Sequence, residues 1–452
     1  MKRIAILHYK VGDTDGVSLE IEKWQIALEN LGHEVYLCAG SLGSSRGTLI
    51  KQMFHQTPEA QRLYANTFIA LQGSEEAYRA ELNKIARIIE KKLSHFIKEY
   101  QIDILMPHNI WSVAMNPAAA LALSHVVEKF KLPVLAQHHD FYWERINGVA
   151  LTCSTAVELA DKYLPPRNPL IRHAVINSLA QASLKDRKGI ESVVIPNVFD
   201  FEGLDWQKDD FNRDFRSRIG VRENDIIILQ ATRLVRRKGV ELAVDFVKAL
   251  NNPQRRAVLE KEGLYDGRAF SGDDRIVLVL AGYAHDDPGG TYVSALKRKI
   301  DEAGIDAIFI ENIVGRERFK DELLKVYSLW DTYVFADFIT YPSLWEGWGN
   351  QLLEAVRARV PFLIFEYPVY RADIKENGLK VVSLGRKIAA TDSAGLVQVK
   401  QKLVDKAADT AVQLLTDGKM RRAVVRHNFE VASEYYSMAS LQRQLDEIVG
   451  TL

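Results

Sequence analysis

The sequence predicts an α/β protein of two doubly wound units, each a parallel sheet flanked by helices. Three observations predict it. Strand-like apolar runs alternate with stretches of helical periodicity from end to end, as parallel strands joined by crossover helices require. The alternation runs through residues 1–195 and starts afresh near 225. The length of 452 residues corresponds to two or three domains at about 150 residues each.

In the first half, Arg3–Tyr9 reads as a strand. Val17, Ile21, Trp24, Leu28 and Leu31 then recur every three or four positions, an apolar helical stripe closed by Gly32. Glu34–Ala39 gives a second strand, and a helical stretch over 75–100 leads to strands at Ile102–Pro107 and Pro133–Gln137. Shorter runs follow at Ala174–Asn177 and Val193–Ile195. In the second half Asp225–Gln230, Arg275–Ala281, Ala307–Ile310, Thr332–Phe335 and Pro361–Phe365 are the strand candidates. Turn residues and charges replace apolar periodicity from Pro196 to Phe211, which marks the join. From 396 the chain reads as helical, ending with a helix over Ala432–Val449. The expected domains are therefore 1–205, with 432–452 crossing back onto it, and 206–431. They are expected to face each other across a cleft, with the chemistry at the carboxyl ends of the strands.

Composition narrows the function. Lys+Arg and Asp+Glu are both 59, so the formal net charge is zero. This argues against a surface built wholly for nucleic acid or anionic lipid. Two cysteines, Cys38 and Cys153, are too few for a disulfide framework or a cysteine-rich zinc site. MKRIAILHY reads as a first strand and not a signal peptide, and no apolar run is long enough to span a membrane. A soluble, cytoplasmic protein is expected.

Four constellations carry candidate chemistry. Tyr341–Ala355 reads YPSLWEGWGNQLLEA, after a strand and opening a helix. Gly347 and Gly349 flank Trp348, and without a Cβ they let the backbone approach a ligand closely. The free N–H groups at Asn350 suit a diphosphate. Glu346 precedes the helix and Glu354 lies inside it; were the interval helical throughout, they would stand roughly 12 Å apart, a span suited to an extended nucleotide sugar. The second constellation, Thr232–Gly239, reads TRLVRRKG and sets several cations just past a strand, where they can neutralise a departing diphosphate. The third, Gly12–Ser18, is a loop between the first strand and first helix; Gly16 suits an anion at the helix start, while Asp13, Thr14 and Asp15 spell a DxD triplet of the kind that can favour Mg²⁺. The fourth, Gln137–Arg145, contains His138, His139 and Asp140 beside Phe141, Tyr142 and Trp143. It fits metal ligands, a base with its orienting acid, or hydrogen-bonding groups in a site wall.

The first of these segments resembles the E-x7-E motif of retaining glycosyltransferases of family 4, which have the GT-B fold of two Rossmann-like domains. The resemblance implies that Glu346, Gly347 and Trp348–Asn350 hold the donor hexose and that Glu354 holds the ribose. Arg233 and Lys238 match the family's R-x4-K pair and would act on the diphosphate, leaving Arg236 and Arg237 as surface charge. Gly16 matches the Gly-rich first loop. The fourth segment resembles the family's histidine loop facing the reacting sugar, with His138 favoured over His139 and Asp140 in an orienting role. Arg359 departs from the pattern, standing where the family often has Gly. Val194–Asp200 resembles the family's interdomain I-P-N-G-V-D, with Val198 at the usual Gly.

Taken together the resemblance implies a hexosyltransferase moving glucose or mannose from a nucleotide diphosphate sugar to a small soluble acceptor such as a sugar, sugar phosphate or sugar acid. UDP-glucose and GDP-mannose are the leading donors. It implies front-face substitution with retention, in which Glu346, Arg233, Lys238 and His138 are the catalytic set. No cofactor is expected to be required, no metal is assigned to the site, and no nucleic-acid or membrane partner is expected. The competing readings are a non-catalytic nucleotide-sugar binding protein of the same fold and a sugar phosphorylase, for which no Lys-centred pyridoxal phosphate motif is found. A dinucleotide-dependent oxidoreductase is disfavoured because no G-x-G-x-x-G follows the first strand.

Overall fold

A computed structural model of the chain divides into two compact units, Met1–Val198 with Met438–Leu452, and Phe199–Ser437. It describes every residue except Thr14, 145–148 and 284–286, together with the side chain at 288.

The first unit holds seven strands: β1 Arg3–His8, β2 Glu34–Ala39, β3 Thr48–Leu49, β4 Ile104–Pro107, β5 Val134–His138, β6 Ile171–Val175 and β7 Ser192–Val194. All pair in parallel, in the order β3-β2-β1-β4-β5-β6-β7. Period-two alternation along β1 supplies both cores. Ile4 and Ile6 pack with Ile21, Trp24 and Leu28 of the helix Gly16–Asn30 and with Leu441 and Leu445 of the helix Met438–Val449. Ala5 and Leu7 pack on the other face with Ile89, Leu93, Val126 and Val127 from the helices Glu75–Tyr100 and Pro117–Phe130. A sheet buried on both faces needs strands without a polar side, which is how β1 and β4 read. The chain winds from β1 outward through β2 and β3, then returns to β4 on the opposite side. Crevices for ligands form at such a reversal, here at the carboxyl ends of β1 and β4.

The second unit repeats the plan. Its strands are β8 Ile226–Gln230, β9 Ile276–Leu280, β10 Asp306–Phe309, the short β11 Val314–Gly315, β12 Phe319–Lys320 and β13 Lys325–Ser328, then β14 Phe338–Tyr341, β15 Phe362–Ile364, β16 Val382–Ser383 and the short antiparallel pair β17 Ala390–Thr391 and β18 Val397–Gln398. The main sheet is parallel in the order β10-β9-β8-β14-β15-β16, and β11-β13-β12 form a small separate sheet. The reversal here falls between β8 and β14. Among the described residues, no helix is long and apolar enough to cross a membrane.

Three expected elements come out differently. Thr332–Phe335, expected as a strand, lies mostly in the helix Leu329–Val334, and the strand is Phe338–Tyr341. Ser328 and Asp331 form a reciprocal capping box that starts this helix, and local capping outweighs the strand propensity of Thr-Tyr-Val-Phe. The run Ala174–Asn177 ends sooner, at Val175, because the Asn177 side chain caps the next helix by accepting from the Ala180 N–H at 2.7 Å. The expected final helix is two, Gly418–Tyr436 and Met438–Val449, interrupted at Ser437 with an extended backbone (φ −87°, ψ 167°).

Candidate active site

In the second unit the loops after β8 and β14 meet. Gln230, the last residue of β8, accepts from the Thr340 hydroxyl at 2.6 Å and donates to Thr232, which fixes the exit of the cationic loop. A Cβ at Gly282 would overlap the Thr232 carbonyl, so only glycine lets the segment after β9 lie against this exit. Arg236–Lys238 form a single 3₁₀ turn that ends at Gly239 with φ +57°. A Cβ there would come within 2.5 Å of the Pro342 carbonyl oxygen, and the Leu344 N–H donates to the Arg237 carbonyl at 2.8 Å. The cationic turn and the acidic loop are thus laced together by backbone.

That lacing delivers Lys238 to Glu346. Lys238 is 3% exposed and Glu346 7%, and the ammonium bonds Oε1 of the carboxylate. Lys238 also reaches Gln351 Oε1 at 3.4 Å and lies 5.6 Å from the centroid of the Tyr341 ring. Arg237, assigned to the surface from sequence, instead donates to Glu346 Oε2 at 2.9 Å. Burial pushes the Glu346 carboxyl up, but the charges of Lys238 and Arg237 outweigh it and hold the group below the ordinary carboxylate range. Arg236 turns elsewhere, donating to the Ala394 carbonyl at 2.9 Å. Arg233 is half-buried in the same loop.

The helix Asn350–Arg357 begins after Gly349. Glu346–Gly349 is not helical, so the helical span that would set the two glutamates about 12 Å apart does not apply. A Cβ at Gly349 would overlap the buried Tyr367 hydroxyl, which ties this glycine to close packing. Glu354 sits in the second turn, where its Oε2 accepts from the hydroxyl of Tyr333 at 2.7 Å. Tyr333 is fully buried, so this carboxylate is held from the interior of the unit, a contact that no sequence motif announced. Arg357 donates to the carbonyls of Gly203 and Leu204, both at 2.7 Å, and to that of Asp200 at 3.1 Å. Arg359 has φ +55°, the left-handed conformation that favours glycine. Its guanidinium stands 4.1 Å from the centroid of the Phe429 ring, a stacking contact that a glycine would lack.

In the first unit the DxD carboxylates have local duties. Asp15 caps the helix Gly16–Asn30, accepting from the Val17 and Ser18 N–H groups at 3.2 and 3.3 Å and from the Ser18 hydroxyl at 2.7 Å. Lys10 pairs with Asp13 at 3.2 Å and with Asp15 at 3.1 Å. Thr14 lies outside the described residues. Gly16 opens the helix, while the close approach belongs to Gly12, whose φ is +74° and whose Cβ would overlap the Leu42 carbonyl.

His138 and His139 point to different partners. His138 Nε2 is 2.9 Å from His173 Nδ1, with the rings stacked. His139 Nε2 is 3.2 Å from His108 Nδ1, and His8 Nδ1 lies 2.7 Å from the His108 carbonyl. Through His108, His139 is linked to His8 at the end of β1. Burial drives His139 down to about 3, His8 and His173 to about 4, and His108 and His138 well below the ordinary value. All five are neutral near pH 7. Asp140 is exposed; its backbone N–H and that of His139 donate to Asn109 Oδ1 at 3.4 and 2.7 Å. Trp143 stacks on Phe141 at 4.4 Å, and Arg145 lies outside the described residues. Sequence reasoning passed over His8, His108 and Asn109. Their signal was a polar residue at the carboxyl end of each of two apolar strands: His8 closes β1, and His108 and Asn109 follow β4.

Comparisons with known proteins agree with this architecture. Residues 211–430 match the family model described as glycosyl transferases group 1. The mannosylglucosylglycerate synthase of Petrotoga mobilis is 38% identical over 436 residues, covering 96% of this chain and 98% of the relative. That of Thermotoga maritima is 36% identical over 444 residues, covering 97% and 98%. Among solved structures, Anabaena HepE in complex with UDP and glucose superposes with a TM-score of 0.60 at 14% identity, covering 100% of each chain. Identity at the level of the two synthases, sustained along nearly the whole of both chains, means that this protein belongs to the group 1 glycosyltransferases of GT-B fold and is a hexosyltransferase enzyme.

Proposed function

We propose that the protein is a retaining mannosyltransferase that takes mannose from GDP-mannose and adds it to glucosylglycerate, forming mannosylglucosylglycerate. One observation carries the donor half of this reading: the buried Lys238–Glu346 pair at the sheet reversal between β8 and β14, with Glu354 in the second turn of the helix that follows. The choice of product is supported by the two relatives, both named mannosylglucosylglycerate synthase. Such an acceptor is small, soluble and acidic.

In this reading Glu346 and the backbone from Gly347 to Asn350 hold the hexose, and Glu354 holds the ribose. Arg233, Lys238 and the helix start at Asn350 face the diphosphate. The bond from the anomeric carbon to the diphosphate oxygen breaks as the bond to the acceptor oxygen forms on the same face. The acceptor proton passes to the departing diphosphate, so no protein base is needed. The enzyme's contribution is then position and electrostatics. In the first unit, the link through His108 to His8 at the end of β1 supports His139 as the histidine facing substrate, with His138 engaged instead by His173. A neutral imidazole there donates or accepts a hydrogen bond without adding charge.

The test is a melting-temperature screen against nucleotide sugars followed by product analysis. A donor that binds only the folded state raises the Tm by mass action, by about 2.7 kcal/mol of stability at a hundredfold excess over its Kd. GDP-mannose is expected to stabilise most and, with glucosylglycerate, to yield the α-linked product. An unmoved Tm with every nucleotide sugar would refute the donor site, and turnover of another donor alone would refute the choice of mannose.

A further inference from the structure

We propose that Arg237 is a positioning residue of the donor site, holding the second carboxylate oxygen of Glu346 so that this group meets the transferred hexose in a single orientation. The inference rests on the donor reading above and adds to it a residue outside the expected R-x4-K pair.

Three cations stand in a row after Val235, and their fates diverge. Arg236 leaves the site for the Ala394 carbonyl and lies 5.6 Å from the Tyr292 ring. Lys238 takes Oε1 of Glu346. Arg237 takes Oε2 at 2.9 Å and also approaches the Trp345 carbonyl at 3.5 Å. The backbone gives the guanidinium little latitude, because the bond from the Leu344 N–H to the Arg237 carbonyl and the tight approach of Gly239 to Pro342 fix one loop on the other.

The terminal torsion of a glutamate is otherwise broad. A cation on each oxygen removes that freedom. It does not use up the acceptor capacity, since an ionised carboxylate has about four lone-pair sites. Glu346 can therefore stay clamped while accepting from two sugar hydroxyls. The neutral Tyr341, at the end of β14, and Ser343, in the following loop, also act on this carboxylate, but their buried hydroxyls make no hydrogen bond among the described residues and leave its remaining acceptor sites open. Tyr367, after β15, lies beside Tyr341. With Lys238 fixed by burial, Arg237 is the cation whose removal frees the carboxylate. Its side chain is 27% exposed, so a polar replacement leaves the packing in place.

The experiment compares Arg237→Gln and Arg237→Lys with the wild-type enzyme, measuring kcat/KM for GDP-mannose and UDP-glucose and inhibition constants for GDP and UDP. Loss of one charge-assisted contact to Glu346 is expected to lower kcat/KM for the sugar donor by about 10- to 100-fold, with inhibition by the bare nucleoside diphosphate unchanged. Arg237→Lys is expected to fall between the two. The acid limb of the kcat/KM profile is expected to move to higher pH in Arg237→Gln, because one of the two charges that keep Glu346 ionised is gone; a purely structural role would not move it. Equal losses for sugar donor and nucleoside diphosphate would overturn the proposal in favour of direct phosphate contact, and unchanged kinetics in both variants would overturn it outright. Either result, obtained with an active wild-type enzyme, leaves the donor reading standing. Absence of turnover in the wild type with all nucleotide sugars would instead strike the donor reading itself.

Discussion

Replacing Lys238 by Met tests the buried ion pair through stability as well as turnover. Lys238 and Glu346 are both nearly inaccessible to water. Removing one partner of such a pair costs about 3–5 kcal/mol, because the remaining charge is left uncompensated in a medium of low dielectric. Arg237 stays on Oε2 and offsets part of that penalty, so the expected loss is near the lower end, about 3 kcal/mol. For a unit of this size each kcal/mol shifts the Tm by about 2–4 °C, giving an expected fall of about 6–12 °C. Adding Glu346→Gln removes the stranded charge. Replacement of a whole buried pair by neutral groups is often nearly neutral, so Lys238→Met/Glu346→Gln is expected to recover most of the lost Tm. Turnover is not expected to recover, since removal of one transition-state donor costs about 100-fold or more. Calorimetry on the single and double variants reads the first effect and a product assay reads the second. A double variant no more stable than Lys238→Met would refute the buried-pair argument.

Tyr333→Phe removes the hydroxyl that donates to Glu354 Oε2 while keeping the ring; titration calorimetry is expected to show the nucleotide sugar bound about tenfold more weakly, as for one hydrogen bond to a charged group, and unchanged affinity would reject the positioning role. Gly349→Ala is expected to abolish most activity because the new Cβ meets the Tyr367 hydroxyl, and adding Tyr367→Phe is expected to restore part of it; a double variant as inactive as the single would place the fault elsewhere. Thermal melts from pH 7.5 to 5 should show stability falling with pH. Burial lowers His8 and His173 to about 4 and His139 to about 3 in the folded state, from 6.5 when exposed. Between those values the unfolded chain binds more protons, so each such histidine removes up to about 1.4 kcal/mol per pH unit as pH drops below 6.5. The same melts on His139→Gln should show a shallower slope, and a flat Tm in the parent would contradict the burial of this cluster.

Much of the proposed donor site was legible in the chain. A glycine-flanked aromatic between a strand and a helix, with carboxylates on either side, calls for backbone approach to an anionic ligand. The cations after β8 were legible for the same reason. Arg237 was not, because three consecutive cations look alike until a 3₁₀ turn assigns each a direction. Tyr333 stayed hidden because its sequence neighbourhood resembles a strand, and its hydroxyl matters only once the helix carrying Glu354 lies over it. The histidines divide in the same way: their presence at strand ends could be read, but the partners of His138 and His139 could not.

What the amino-acid order determined alone was the alternation of buried strands and amphipathic helices, and hence the doubly wound parallel plan, because periodicity and burial are local properties of the chain. Tertiary structure decided which side chains converge. Lys238 and Glu346 lie 108 positions apart in the chain, and they become partners because β8 and β14 are neighbours in the sheet. Pairing across such distances depends on strand order and on the close backbone contacts at Gly239 and Gly282, which no local pattern specifies.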